Sequence, residues 1–220
     1  MNFELTEEQK EIKKAVQEFA SKEFTRERAL ELDQKEEFPF ELWKKACKLG
    51  FVAAYFPEEY GGQGLGILEN TIIIEELCRA DSSLGLAIAA APIGCEVILE
   101  FGTEEQKEKF LPEIPKGEAI SAIVITEPGH GSDVTCYDTK AVKSGNEYII
   151  NGTKTLINNA TIAKYFITFC QTDDKVVPPR KGQSAFVIES NREGVSVTPI
   201  KNKMGIRPVS YTHLTLPTKA

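Results

Sequence analysis

The chain has 220 residues, 41% of them hydrophobic and 27% charged, with a net charge of −7. That is enough apolar sequence for one large core or two ordinary ones, which excludes a disordered chain. The acidic balance argues against a nucleic-acid or membrane-surface binder, because such partners are polyanionic. The charge is unevenly spread: residues 1–118 hold 14 Lys/Arg against 25 Asp/Glu, and residues 119–220 hold 12 against 8. A sign change near Gly117 predicts two structural units.

Thr6-Glu7-Glu8-Gln9 is a capping-box pattern, followed by Ile12, Val16, Phe19, Ala20 and Phe24 at helical spacing. A second helix is expected from about Pro39 to Gly50, carrying Leu42, Trp43 and Ala46. Three glycines within Pro57-Glu58-Glu59-Tyr60-Gly61-Gly62-Gln63-Gly64 forbid a helix there. Helical pattern resumes over 67–79 and again over 83–101, where it closes at Gly102. The second stretch includes Gly85, Ala87, Ala89, Ala90 and Ala91, which suit close helix packing or, less specifically, a roomy pocket. Thr103-Glu104-Glu105-Gln106 opens a further short helix that Pro112 limits.

From Ala119 the pattern turns to strands. An apolar run over 119–125 is followed by short strand-like segments near 139–142, 147–150, 154–157, 165–170, 184–188 and 195–199. Gly145-Asn146 and Asn151-Gly152 both read as hairpin turns. The expected fold is multidomain α+β: an all-α helical domain over 1–118, then an antiparallel β-barrel or sandwich over 119–207. The last stretch, 208–220, does not fit a helix and is expected to be an atypical, non-native tail.

The N-terminus, Met1-Asn2-Phe3-Glu4, lacks the basic leader and apolar core of a signal peptide, and the most apolar stretch is too short to span a bilayer. Five scattered cysteines with no C-x-x-C pair fit buried thiols in a reducing compartment, so the expected location is cytoplasmic. His130 and His213 are the only histidines, neither with a second ligand at metal spacing, and no metal site is expected. The segment Thr126-Glu127-Pro128-Gly129-His130-Gly131-Ser132-Asp133 leaves a buried strand for a glycine-rich loop. Such a loop brings backbone close to a ligand, or is an ordinary turn that Asp133 closes on its own backbone.

That segment resembles the T-E-P-G-x-G-S-D flavin loop of the acyl-CoA dehydrogenase family. Pro57-Glu58-Glu59-Tyr60-Gly61-Gly62-Gln63-Gly64, Gly102-Thr103-Glu104-Glu105-Gln106-Lys107, Asn151-Gly152 with Lys154, and Lys203-Met204-Gly205-Ile206-Arg207 are similar to further family motifs, in the family's order. The resemblance implies a helical domain, a β-domain and a C-terminal helical bundle around FAD, with the bundle missing here. It implies α,β-dehydrogenation of an acyl-CoA to the trans-2-enoyl-CoA, as in fatty-acid β-oxidation, with electrons passed to an electron-transferring flavoprotein. A homo-oligomer, dimer or tetramer, is implied too. The same resemblance places the strand end Ile123, Val124, Ile125 and Thr126 at the flavin, and Ser132 between flavin and the pantetheine arm of the substrate. Where many members carry W-I-T, this chain reads Leu156-Ile157-Asn158. Leu156 would give apolar contact without an aromatic face, and Asn158 an amide donor. His130 is expected to be a solvent-facing filler and Glu127 a structural carboxylate capping backbone donors. The catalytic base is expected in the missing bundle, making the chain an inactive truncated form. A non-catalytic flavin- or acyl-CoA-binding module, and an acyl-CoA oxidase using oxygen, are the alternatives.

Overall fold

The computed structural model describes residues 4–219, with side chains through 216. Residues Met1–Phe3, on which part of the N-terminal reading falls, and Ala220 lie outside the described residues. Two units emerge. One comprises the chain up to Pro92 with Phe101–Glu118 and Asn202–Val209; the other comprises Ile93–Glu100, Ala119–Lys201 and the chain from Ser210.

The first unit is helical. Helix α1 (Glu7–Glu23) starts with the expected box: Gln9 N donates to Thr6 Oγ1 at 3.2 Å, and Thr6 N to Gln9 Oε1 at 2.9 Å. Its Val16, Phe19 and Ala20 are buried. Helix α2 (Arg26–Lys35) is absent from the sequence reading for a physical reason: it buries no residue and so has no apolar stripe. It is held instead by a Thr25 cap and by pairs such as Lys35–Glu31 at 2.6 Å. Helix α3 (Phe40–Lys48) buries Leu42, Trp43, Ala46 and Cys47.

Helices α4 (Ile67–Ala80) and α5 (Ser82–Ala89) meet backbone to backbone. A Cβ on Gly85 would lie 2.6 Å from both Cys78 N and Leu77 C, so close packing is the use of this small residue. The single helix expected over 83–101 is two, α5 and α6 (Cys95–Phe101). Pro92 has no amide to donate, and Gly94 takes φ 94°. Helix α7 (Glu104–Phe110) carries the second capping box at Thr103.

Within α4, Glu76 is only 2% exposed. Lys13 Nζ and Arg79 Nε lie 3.1 and 2.9 Å from its carboxylate, and Gln17 Nε2 donates to it at 3.0 Å. Burial alone would push its pKa up; the bonds from Gln17, Lys13 and Arg79 outweigh this and hold it below the ordinary carboxylate range. The stability contributed by a depressed carboxylate is present above its unfolded-state pKa, near 4.3, and is lost as pH falls through the folded value. Glu76→Gln should therefore lower stability at pH 7 by about 1–2 kcal/mol and narrow that gap towards pH 3, read by urea unfolding across this range. An unchanged gap would reject the assignment.

The second unit is a seven-stranded sheet curled into a half-barrel, ordered β1-β4-β2-β3-β7-β6, with β5 on β4. The strands are β1 (Ser121–Val124), β2 (Lys140–Ser144), β3 (Glu147–Asn158), β4 (Tyr165–Gln171), β5 (Gln183–Glu189), β6 (Ser196–Pro199) and β7 (Tyr211–Lys219). The antiparallel expectation is corrected: β1 runs parallel to β4, with Ser121 opposite Tyr165, and β2 meets β4 in parallel at Lys140–Gln171. Hairpin signals report only neighbouring strands and say nothing of pairings across a crossover. Asn151-Gly152 is also not a turn, since β3 runs straight through it. A Cβ on Gly152 would lie 2.6 Å from Thr139 Cα, so glycine is needed there for strand contact.

After Arg207, β7 pairs with β3 from Asn158–Tyr211 to Ile149–Lys219. Its residues alternate, with Thr212, Leu214 and Leu216 buried and His213 and Thr215 exposed, the period of a one-sided strand. The β core gathers Val124, Ala141, Ile150, Ile157, Phe166, Ile188 and Leu214.

Candidate functional site

The site grows from the end of β1. Ser121 Oγ donates to Ile93 O at 3.0 Å, and a Cβ on Gly94 would come within 3.3 Å of Ile123 and Ile167 side chains. The segment entering α6 is thereby seated on β1. Beyond the strand, Thr155 N donates to Thr126 O at 2.8 Å, so the strand end lies against the middle of β3.

Lys154 and Glu127 secure this junction. Both side chains are buried, at 0% and 1% exposure, with Lys154 Nζ 2.8 Å from Glu127 Oε1. Lys154 Nζ also donates to Ile125 O at 2.9 Å and sits 4.0 Å from the Tyr137 ring centroid. The ammonium thus meets a carboxylate, a carbonyl and a π face, which replaces the water it loses. Glu127 also accepts from Asp138 N at 2.6 Å and Thr139 N at 3.0 Å. Burial acts to raise the Glu127 pKa, and the hydrogen bonds from Lys154 and Thr139 more than reverse it, so the carboxylate is ionised at neutral pH. Burial draws Lys154 below the ordinary lysine range, against the opposing pull of Glu127. Glu127 is therefore structural: its carboxylate joins the first residue of the loop to its last two.

The loop is closed locally as well. Glu127 and His130 exchange two backbone hydrogen bonds at 2.9 and 3.1 Å. Asp133 Oδ1 accepts from Thr135 N at 3.0 Å and from Thr135 Oγ1 at 2.6 Å, the self-closing turn open to it from sequence.

The eight candidate positions fall into four groups. Ile123, Ile125, Thr126 and Asn158 are half-buried around the junction of the β1 end and β3. Leu156 stands out from β3 at 56% exposure with φ 56°, in the irregular register between Lys154 and Ile157. Val124 and Ile157 belong to the β core at 0% and 2%, so their side chains pack inward rather than toward a ligand. Ser132 is exposed in the loop and lies on neither strand.

Sequence reasoning saw Lys154 only as part of a motif, and passed over Tyr137 and the pair of Thr155 Oγ1 with His213 Nδ1 at 2.7 Å. The alternation over 211–216 was the available signal for His213. Glu127, His130 and Asp138 offer ligand atoms within 4.8 Å of one another. Both Glu127 oxygens already serve Lys154 and the loop amides, which leaves His130 and Asp138 as the remaining ligand atoms of this cluster.

A helical unit joined to a mixed half-barrel whose strand end is clamped beneath a glycine-rich loop defines a class also seen in known proteins. The chain matches the acyl-CoA dehydrogenase N-terminal domain over residues 6–118 and the middle domain over 122–218. It belongs to the acyl-CoA dehydrogenase family. It is 40% identical to the short-chain specific acyl-CoA dehydrogenase of Clostridium acetobutylicum over 97% of this chain and 56% of that relative. Among solved structures, it superposes with a TM-score of 0.91 and 36% identity on a chain of the electron transferring flavoprotein structure of Acidaminococcus fermentans, covering 99% of this chain and 57% of that one. It superposes at 0.87 with 35% identity on an acyl-CoA dehydrogenase of Bacillus anthracis complexed with FAD, covering 98% and 36%. The chain spans about half the length of the curated relatives it matches. Among the described residues, no helix is long and apolar enough to cross a membrane.

Proposed function

We propose that the chain is the helical and flavin-facing part of an FAD-dependent dehydrogenase that converts an acyl-CoA thioester to its trans-2-enoyl-CoA. Electrons then pass to an electron-transferring flavoprotein. The observation that carries the reading is the Lys154–Glu127 clamp, which holds Ile125 and Thr126 beside β3 under the loop. The donor set suits a flavin edge: the Thr126 hydroxyl, backbone at Ile125 and Thr126, and the Asn158 amide, with Leu156 exposed beside them. FAD, when bound, supplies the acceptor for the hydride from the β-carbon.

The chain's own residues bind and orient. Ile123, Val124, Ile125 and Thr126 line the ring edge, Val124 through its backbone. Leu156, Ile157 and Asn158 line the other side, with Leu156 excluding water. Ser132 sits between cofactor and pantetheine arm. The base that takes the α-proton is not assigned to any residue of this chain; we place it in the length that the relatives have beyond the match. The domain boundary falls between Glu118 and Ala119, the whole enzyme is a homo-oligomer, and its compartment is the cytoplasm.

Expressed from its intact genomic locus with FAD, the protein should be yellow and should bleach anaerobically on addition of saturated acyl-CoA thioesters. Thr126→Val should slow this bleaching about tenfold or more by removing one donor at the ring edge. A colourless protein, or bleaching at an unchanged rate in the variant, would reject the reading and the Thr126 role respectively.

A further inference from the structure

Within the loop that Glu127 closes, one group of side chains takes no part in the clamp. Cys136 Sγ lies 3.7 Å from His130 Nδ1, and His130 Nε2 lies 3.4 Å from Asp138 Oδ2. The order is thiol, imidazole, carboxylate: the tautomer with its proton on Nε2, the nitrogen facing the carboxylate, presents the Nδ1 lone pair to the thiol. The backbone bridge between Glu127 and His130 and the Glu127 bond to Asp138 N hold the histidine and the aspartate in place on either side of Cys136. Cys136 is half-buried, and the Asp138 side chain is 83% exposed, so a small reagent can reach the sulfur.

The other thiols lack this setting. Cys47, Cys95 and Cys170 are buried, and burial pushes each up to about 12. Cys78 is half-buried like Cys136, but burial and then Asp81 raise it. The only other histidine, His213, is paired with Thr155.

We propose that Cys136 is a thiol–disulfide exchange site, primed by His130 and Asp138, that takes a low-molecular-weight disulfide. The Cys136 thiol gives its proton to His130 Nδ1, and the thiolate sulfur attacks one sulfur of the incoming disulfide. The incoming S–S bond breaks as the Cys136–S–S bond forms. The departing thiolate takes the proton from His130, so one disulfide is consumed, one mixed disulfide is made and one thiol is released. An adduct here stands four residues from Ser132 and makes the loop responsive to thiol redox state.

The test incubates the intact protein with glutathione disulfide or with coenzyme A disulfide, and follows each cysteine by peptide mass spectrometry. Cys136 should be modified about tenfold faster than Cys78. His130→Gln should remove that advantage while leaving the Cys78 rate unchanged, with the thermal unfolding transition as the folding control. Asp138→Asn, whose side chain is exposed, should lower the Cys136 rate several-fold and serves if His130→Gln fails to fold. Modification of Cys136 ahead of Cys78 in either arm supports the site, and the faster arm identifies the source of the disulfide. Equal rates at Cys136 and Cys78, or a Cys136 rate untouched by both variants, would overturn it.

Discussion

Lys154→Met is expected to destabilise the sheet unit by about 3–5 kcal/mol, because it leaves an ionised Glu127 buried without its cation. The two backbone amides that also serve Glu127 soften this loss but do not neutralise the charge. Pairing the change with Glu127→Gln removes the uncompensated charge, so the double variant should recover to within about 2 kcal/mol of the parent. Urea unfolding of the four members of this cycle gives both numbers. A Lys154→Met loss below about 1 kcal/mol would mean that water already reaches the pair and that the clamp does not hold the strand end.

The second large effect lies in the helical unit. Gly85→Val should destabilise by about 3 kcal/mol, since its Cβ would meet the backbone of α4 rather than a movable side chain. Helices α4 and α5 would have to separate, which also loosens Leu77, Leu84 and Ile88, all fully buried. Gly131→Ala is the matched control. A Cβ at that position meets nothing within 4 Å, so its effect should stay within about 0.5 kcal/mol. Thermal or urea unfolding decides the matter: equal effects at the two positions would show that the α4–α5 contact yields at little expense.

What could be read from sequence followed the range of the interactions. The Thr6 and Thr103 boxes were legible because each satisfies its own first turn within three residues. The core stripe of α1 was legible for the same local reason. Helix α2 was not, because its support is ionic and exposed, and leaves no periodic trace. Asn151-Gly152 misled because one dipeptide serves two needs: a tight turn, or close approach of a neighbouring strand, here Thr139. The parallel register of β1 with β4 depends on a crossover that no local pattern records. Strand β7 shows in the sequence only as a simple alternation over 211–216. At the candidate site the loop itself was evident, and the structural part of Glu127 was anticipated. Its partners were not, because Tyr137, Asp138, Thr139 and Lys154 come to it from the far side of the loop and from another strand.

The Glu127 carboxylate, by binding both ends of the loop at once, divides it into a frame and a filling. The frame is tied to β3 through Lys154, and its geometry does not depend on which side chains occupy 131–136. Substitutions there escape the penalty that a change at Glu127 or Lys154 incurs, as on other loops carried by a rigid scaffold. New chemistry can thus be tried beside the end of β1 without reopening the question of whether the strand is held. A protein so built can explore its rim while its seat stays still.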